Sequence, residues 1–152
     1  MRGATGFRVA ARTDDELQPI SSRDATFQQA VDDLAAAKPD RSAELRDKDV
    51  CIRHGQGTAS LGLPRYYVLI EGPSRDATDD LIIEFKSARR STLDGLTPPG
   101  SFDAGNKAGR IVHGRQVRLP HGDIFYGAVE IDGESFMSRE RVRFATTSTR
   151  MA

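Results

Sequence analysis

The sequence predicts an α+β domain, an antiparallel sheet of about five strands with one or two helices. Three features predict it. From about residue 49 onward, apolar residues fall in short runs bounded by Gly, Pro and Asp clusters, the habit of strands joined by turns. Asp132-Gly133 stands between two apolar-rich runs, where an Asp-Gly pair is a strong hairpin signal. Residues 24–36 instead space their apolar residues by three and four, as one face of a helix requires.

Taken in order, Phe7 to Ala11 form an expected short strand, followed by a turn-like segment ending at Pro19. The helix from Asp24 to Ala36 presents Phe27, Ala30, Val31 and Leu34 on one side, with Ser22 as its N-cap and Pro39 just past its end. Val50-Cys51-Ile52 is an apolar run ahead of a glycine-rich stretch. Tyr66 to Glu71 and Leu81 to Lys86 read as a hairpin joined by the turn-rich GPSRDATDD. The segment SARRSTLDGLTPPGSFDAGNK reads mostly as a surface loop, because two prolines and three glycines interrupt it. Asn106 to Leu119 read as a helix closed by Pro120, although Gly114 weakens its interior. Asp123 to Ile131 and Ser135 to Val142 form the second hairpin, and the polar tail ATTSTRMA frays. These limits give an N-terminal extension at 1–48, a principal unit at 49–143 and a tail at 144–152.

Composition narrows the function classes. The 152 residues hold twenty-two basic and twenty-two acidic side chains, so no global field draws nucleic acid or an anionic membrane. Residues 14–49 carry ten acids against five bases, whereas Arg110 to Arg118 is basic, a pattern typical of solvated faces. The lone Cys51 excludes an intrachain disulfide and suits a reducing cytoplasm. No apolar stretch has the length of a signal-peptide core or a membrane span. An apolar fraction of 38% is lean for a core, which points to much loop or, in preference, to a sheet whose packing partner is supplied elsewhere.

The segment RHGQGTASLGLPRYYVLIEG sets Gly55, Gly57 and Gly62 between the Val50 run and a strand. Glycines there let backbone N–H groups approach a phosphate closely. The spacing departs from G-x-G-x-x-G because Ser60 takes the third glycine's place, and no Gly-Lys-Ser/Thr follows. The loop therefore reads either as a hairpin turn or as a phosphate cradle. Lys86 closes the strand LIIEFK on the face shared by Ile82 and Glu84, in a chain with eighteen arginines and only four lysines. A compact ammonium there suits bridging phosphates; the alternative is a solvated strand lysine. His121-Gly122-Asp123 has the look of a catalytic loop, yet Ala128 stands where a metal-binding Asn would be needed. It reads as a turn leading into a strand. His54, His113 and His121 show no zinc-binding spacing.

Four blocks, GTASLGLPRYYVLIEG, IIEFKSARRSTL, AGRIVHGRQVRL and GESFMSRER, resemble in order and spacing the bacterial domain-of-unknown-function family numbered 2252. The likeness runs from about Asp49 to Arg143, with a weaker one upstream. That family looks like a distant kinase-like group related to aminoglycoside phosphotransferases. The resemblance implies a fold like a protein-kinase small lobe, with Gly57, Ser60 and Gly62 in its Gly-Ser loop and Lys86 as its motif lysine. It also implies that Arg139 and Glu140 match an Arg-Glu pair near a kinase hinge, completing a nucleotide-binding set of Gly57, Ser60, Gly62, Lys86 and Glu140.

The chain departs from the pattern at Ala59 for a loop glycine, Ser87 for the motif Glu, Arg90 for a Pro, and the order HGRQ in its helix. The segment resembling a catalytic loop would precede Gly55 in the family and a helical lobe would follow the last strand, so this chain looks like a split or excised part. The expectation is a cytoplasmic lobe that binds nucleotide, with ATP and Mg2+ as cofactor and no catalytic residue of its own. The alternative is a non-enzymatic module that docks with a partner chain or pairs as a homodimer.

Overall fold

The computed structural model describes residues 17–20, 25–37, 46–54, 62–72, 74, 76, 79–98, 106–118 and 123–141. Among the described residues, six strands form one sheet: β1 (Leu17–Pro19), β2 (Asp47–Arg53), β3 (Arg65–Ile70), β4 (Leu81–Ser87), β5 (Gly127–Ile131) and β6 (Glu134–Arg141). Their order is β1-β2-β3-β4-β6-β5, and every neighbouring pair is antiparallel. Helix α1 (Ala25–Ala36) lies between β1 and β2 in sequence, and α2 (Lys107–Arg118) between β4 and β5. The α+β class is as expected, with six strands where about five were anticipated.

The extra strand is β1, in a segment that reads as a turn because it ends in Pro19. Proline is tolerated at a sheet edge, where its missing N–H is not needed. Pro19 pairs with Cys51 at that edge, and the Ile20 N–H carries the pairing on to the Val50 carbonyl at 3.1 Å. The anticipated strand at Phe7–Ala11, the N-cap Ser22, Pro39 and the tail lie outside the described residues.

Strand alternation sorts side chains onto two faces. Val50, Tyr66, Val68, Ile70, Ile83, Phe85, Val129 and Phe136 line one face, and α1 packs there through Phe27, Ala30, Val31 and Leu34. Burying each such Phe, Val or Leu contributes about 1.5–3 kcal/mol, so this layer is the core. Tyr66 fixes its centre, edge-on to Phe27 at 4.9 Å and tilted against Phe136 at 5.6 Å between ring centroids. On its solvated side α1 is braced by Gln28–Asp32 and Gln29–Asp33 hydrogen bonds of 2.7 and 2.9 Å, the i,i+4 geometry helices favour.

Helix α2 covers the opposite face over β5 and β6. Asn106 caps it by accepting the Gly109 N–H at 2.8 Å, and the Ala108 N–H donates to Ser135 Oγ at 2.9 Å. Farther along, the Arg115 guanidinium stacks on the Tyr126 ring at 4.4 Å. Asp132 and Gly133 take φ of 51° and 76°, the positive pair that a two-residue hairpin turn requires. β5 begins at Gly127, later than expected, because Asp123 starts a turn: its Oδ1 accepts the Phe125 N–H and its carbonyl the Tyr126 N–H. Among the described residues, no helix is long and apolar enough to cross a membrane.

Candidate functional site

The β2–β3 hairpin brackets the glycine-rich loop, and β4 pairs with β3 in the same sheet. Arg65 is the first residue of β3 after that loop, and its register partner on β4 is Lys86. The Ser87 N–H donates to the Pro64 carbonyl at 3.1 Å, carrying the pairing up to the loop's last residue. Lys86 therefore stands beside the exit of the loop, half-buried, on the face away from α1. Gly62, the loop glycine within the described residues, has φ of 76°, a left-handed conformation that favours glycine.

The same face holds a buried carboxylate two residues before Lys86. Glu84 has zero exposure and lies in register with Tyr67 of β3 and Arg139 of β6. A charge in that position is tolerated only when paired. Arg139 donates its Nε–H to Glu84 Oε2, Arg65 Nη1 lies 3.1 Å from Oε1, and Arg141 Nη1 is 3.9 Å away. Arg65 is nearly buried, whereas the Arg139 side chain is 40% exposed. The Arg141 guanidinium also sits over the Tyr67 ring at 5.2 Å.

Cys51, Tyr67, Leu69 and Ile82 give this face an apolar half toward β2. Burial pushes the Cys51 thiol up to about 12, and burial followed by the Glu84 charge raises the Tyr67 hydroxyl above its ordinary value. Neither group is primed as a nucleophile or base near neutral pH. Chemically, the described part of this face offers arginine and lysine cations around a buried carboxylate.

The expected site residues divide clearly. Gly57 and Ser60 lie outside the described residues. Gly62 and Lys86 are brought to one end of the sheet. Glu140 is not: it pairs with Ile83, so alternation sets its side chain on the face opposite Lys86. Its own N–H donates to Asp123 Oδ2 at 2.6 Å, which also occupies the Asp of the His-Gly-Asp triplet. The sequence reading passed over Glu84 as a site residue. Its signal was a charge flanked by Ile83 and Phe85 in a strand buried on both faces.

A second buried carboxylate braces a turn. Asp80 accepts from Lys48 Nζ at 2.8 Å and from the Gly72 N–H at 3.2 Å, tying the turn before β4 to β2. That bond, ahead of the opposing burial effect, raises the Lys48 pKa. Among the described residues, no group of three or more His, Cys, Asp or Glu could hold a metal ion.

Residues 4–148 match the family described as "Uncharacterized protein conserved in bacteria (DUF2252)". No curated protein and no solved structure matches the chain.

Proposed function

We propose, from the premise that this chain belongs to that family of uncharacterized bacterial proteins, that it is a nucleotide-binding lobe of kinase-like type, holding phosphates where the glycine-rich loop meets Lys86. The observation that carries the reading is the register of Lys86 against Arg65, the residue that leaves the loop. A hairpin with a glycine-rich turn, followed by a strand lysine in the same sheet, is the pairing that would bring backbone donors and an ammonium to a phosphate.

Phosphoryl transfer needs a base and a metal in addition to such cations. The reading is therefore binding by this chain, with transfer left to a lobe that carries those groups. Mg2+ bound to ATP would supply further charge neutralisation at the phosphates. The test is nucleotide-dependent thermal stabilisation of the chain and its loss in Lys86→Ala.

The interaction-module alternative draws on a different observation. The segment after β4 folds into a turn in which the Leu96 N–H donates to the Leu93 carbonyl at 2.9 Å, leaving Leu93 and Leu96 55% and 78% exposed. Two leucines held outward on an ordered turn suit contact with another chain. Sizing chromatography of the parent and a Leu93→Ser/Leu96→Ser variant separates the cases. Self-association lost in the variant would favour the module.

A further inference from the structure

We propose that Arg139 is a second anion-binding cation beside Lys86, that buried Glu84 is its positioning residue, and that the ligand class is therefore a chain of linked phosphoryl groups. The proposal rests on the phosphate-binding reading above and adds to it the second cation and the charge of the ligand.

Glu84 is in register with Arg139 and Lys86 with Met137, so Lys86 and Arg139 are diagonal neighbours on adjacent strands of one face. Such neighbours sit about 7–8 Å apart, within reach of one another's long side chains. Arg139 commits its Nε–H to Glu84, and a guanidinium has five N–H donors in a fixed fork. The bond to a fully buried carboxylate thus sets the plane of the fork, while the terminal amino groups belong to a side chain that is 40% exposed. Lys86, also only half-buried, has no partner among the described residues.

One carboxylate faces Arg65, Arg139 and Arg141, with Lys86 alongside. Such clusters are poor stabilisers compared with apolar side chains of similar volume. What they provide is a rigid array of donors. A di- or triphosphate, longer and more highly charged than orthophosphate, engages Lys86 and Arg139 through separate phosphoryl groups.

The test is calorimetric titration of the full chain with inorganic tripolyphosphate and with orthophosphate, repeated on Lys86→Ala, Arg139→Gln and Glu84→Gln. Tripolyphosphate is expected to bind at least about tenfold tighter than orthophosphate, and Arg139→Gln to weaken it by about tenfold or more, the worth of one charge-assisted hydrogen bond. Glu84→Gln makes the cluster one charge more positive, yet affinity should fall because the fork is no longer held. Tighter binding in that variant would overturn the positioning role. If Glu84→Gln does not fold, Arg139→Lys serves instead: it keeps the charge but loses the fork, so parental affinity there would overturn the same claim. Loss of binding in Lys86→Ala with parental binding in Arg139→Gln would sink this proposal and leave the phosphate-binding reading intact. Equal affinity for the two anions would sink the ligand class, and no tripolyphosphate binding by the parent would sink both.

Discussion

Glu84 on β4 accepts the Nε–H of Arg139 from β6, two residues that stand 55 apart in sequence and directly opposite in the sheet. The carboxylate has zero exposure and Arg65 beside it is 8% exposed, so deleting the carboxylate strands a guanidinium inside the protein. Glu84→Ala is expected to cost about 3–5 kcal/mol, the usual penalty for breaking one partner out of a buried pair. Arg139→Ala, at a more exposed position, should cost about 1 kcal/mol or less. Urea midpoints of the two variants against the parent measure the difference, and equal losses would mean that Glu84 is not the buried partner.

Two glycines should respond in opposite directions. A Cβ at Gly72 would clash with the Asp79 backbone oxygen, which cannot yield without moving the turn held by Asp80. Gly72→Ala is expected to destabilise by about 1–3 kcal/mol. Gly114 lies on the exposed side of α2 with nothing within 4 Å of a Cβ, so Gly114→Ala should stabilise by roughly 0.5–1 kcal/mol. Thermal melts of both variants give the signs directly.

Cys51 supplies a pH-dependent prediction. Burial, with a smaller contribution from Asp49, raises the thiol to about 12, so in alkali the unfolded chain loses its proton before the folded one does. Stability from this group is complete below the ordinary thiol pKa and is lost as pH rises toward 12. Stability should fall across that window more steeply in the parent than in Cys51→Ala. At pH 8 a thiol reagent should label Cys51 only as fast as the protein opens. Rapid stoichiometric labelling of the native protein would contradict the burial.

Much of this arrangement was legible in the sequence where the determining pattern is local. Phe27, Ala30, Val31 and Leu34 mark α1 by their spacing, and Asp132-Gly133 marks its hairpin by the positive φ it accepts. The position of Lys86 on the strand after the glycine-rich hairpin was legible for the same reason. β1 was not, because three residues ending in a proline have no period to read. The arginine cluster was hidden by topology. β4 pairs with β6 and not with β5, the next strand in sequence, so Arg139 meets Glu84 through a non-local register that letters alone do not reveal. Glu140 failed to join Lys86 for a related reason: its neighbour Arg139 takes the site face, and alternation turns Glu140 away.

The central claim, phosphate binding at Lys86, is tested most directly by thermal unfolding with and without millimolar ATP and Mg2+. A hundredfold excess over the dissociation constant would stabilise the folded chain by about 2.7 kcal/mol, equivalent to roughly 5–10 °C at this length. Because Ala59 and Ser87 replace a loop glycine and the motif Glu, the expected shift is smaller than that and confined to millimolar nucleotide. It should disappear in Lys86→Ala, whose truncated side chain leaves phosphate charge unpaired. No shift in the parent, or a shift of equal size in Lys86→Ala, would contradict the account.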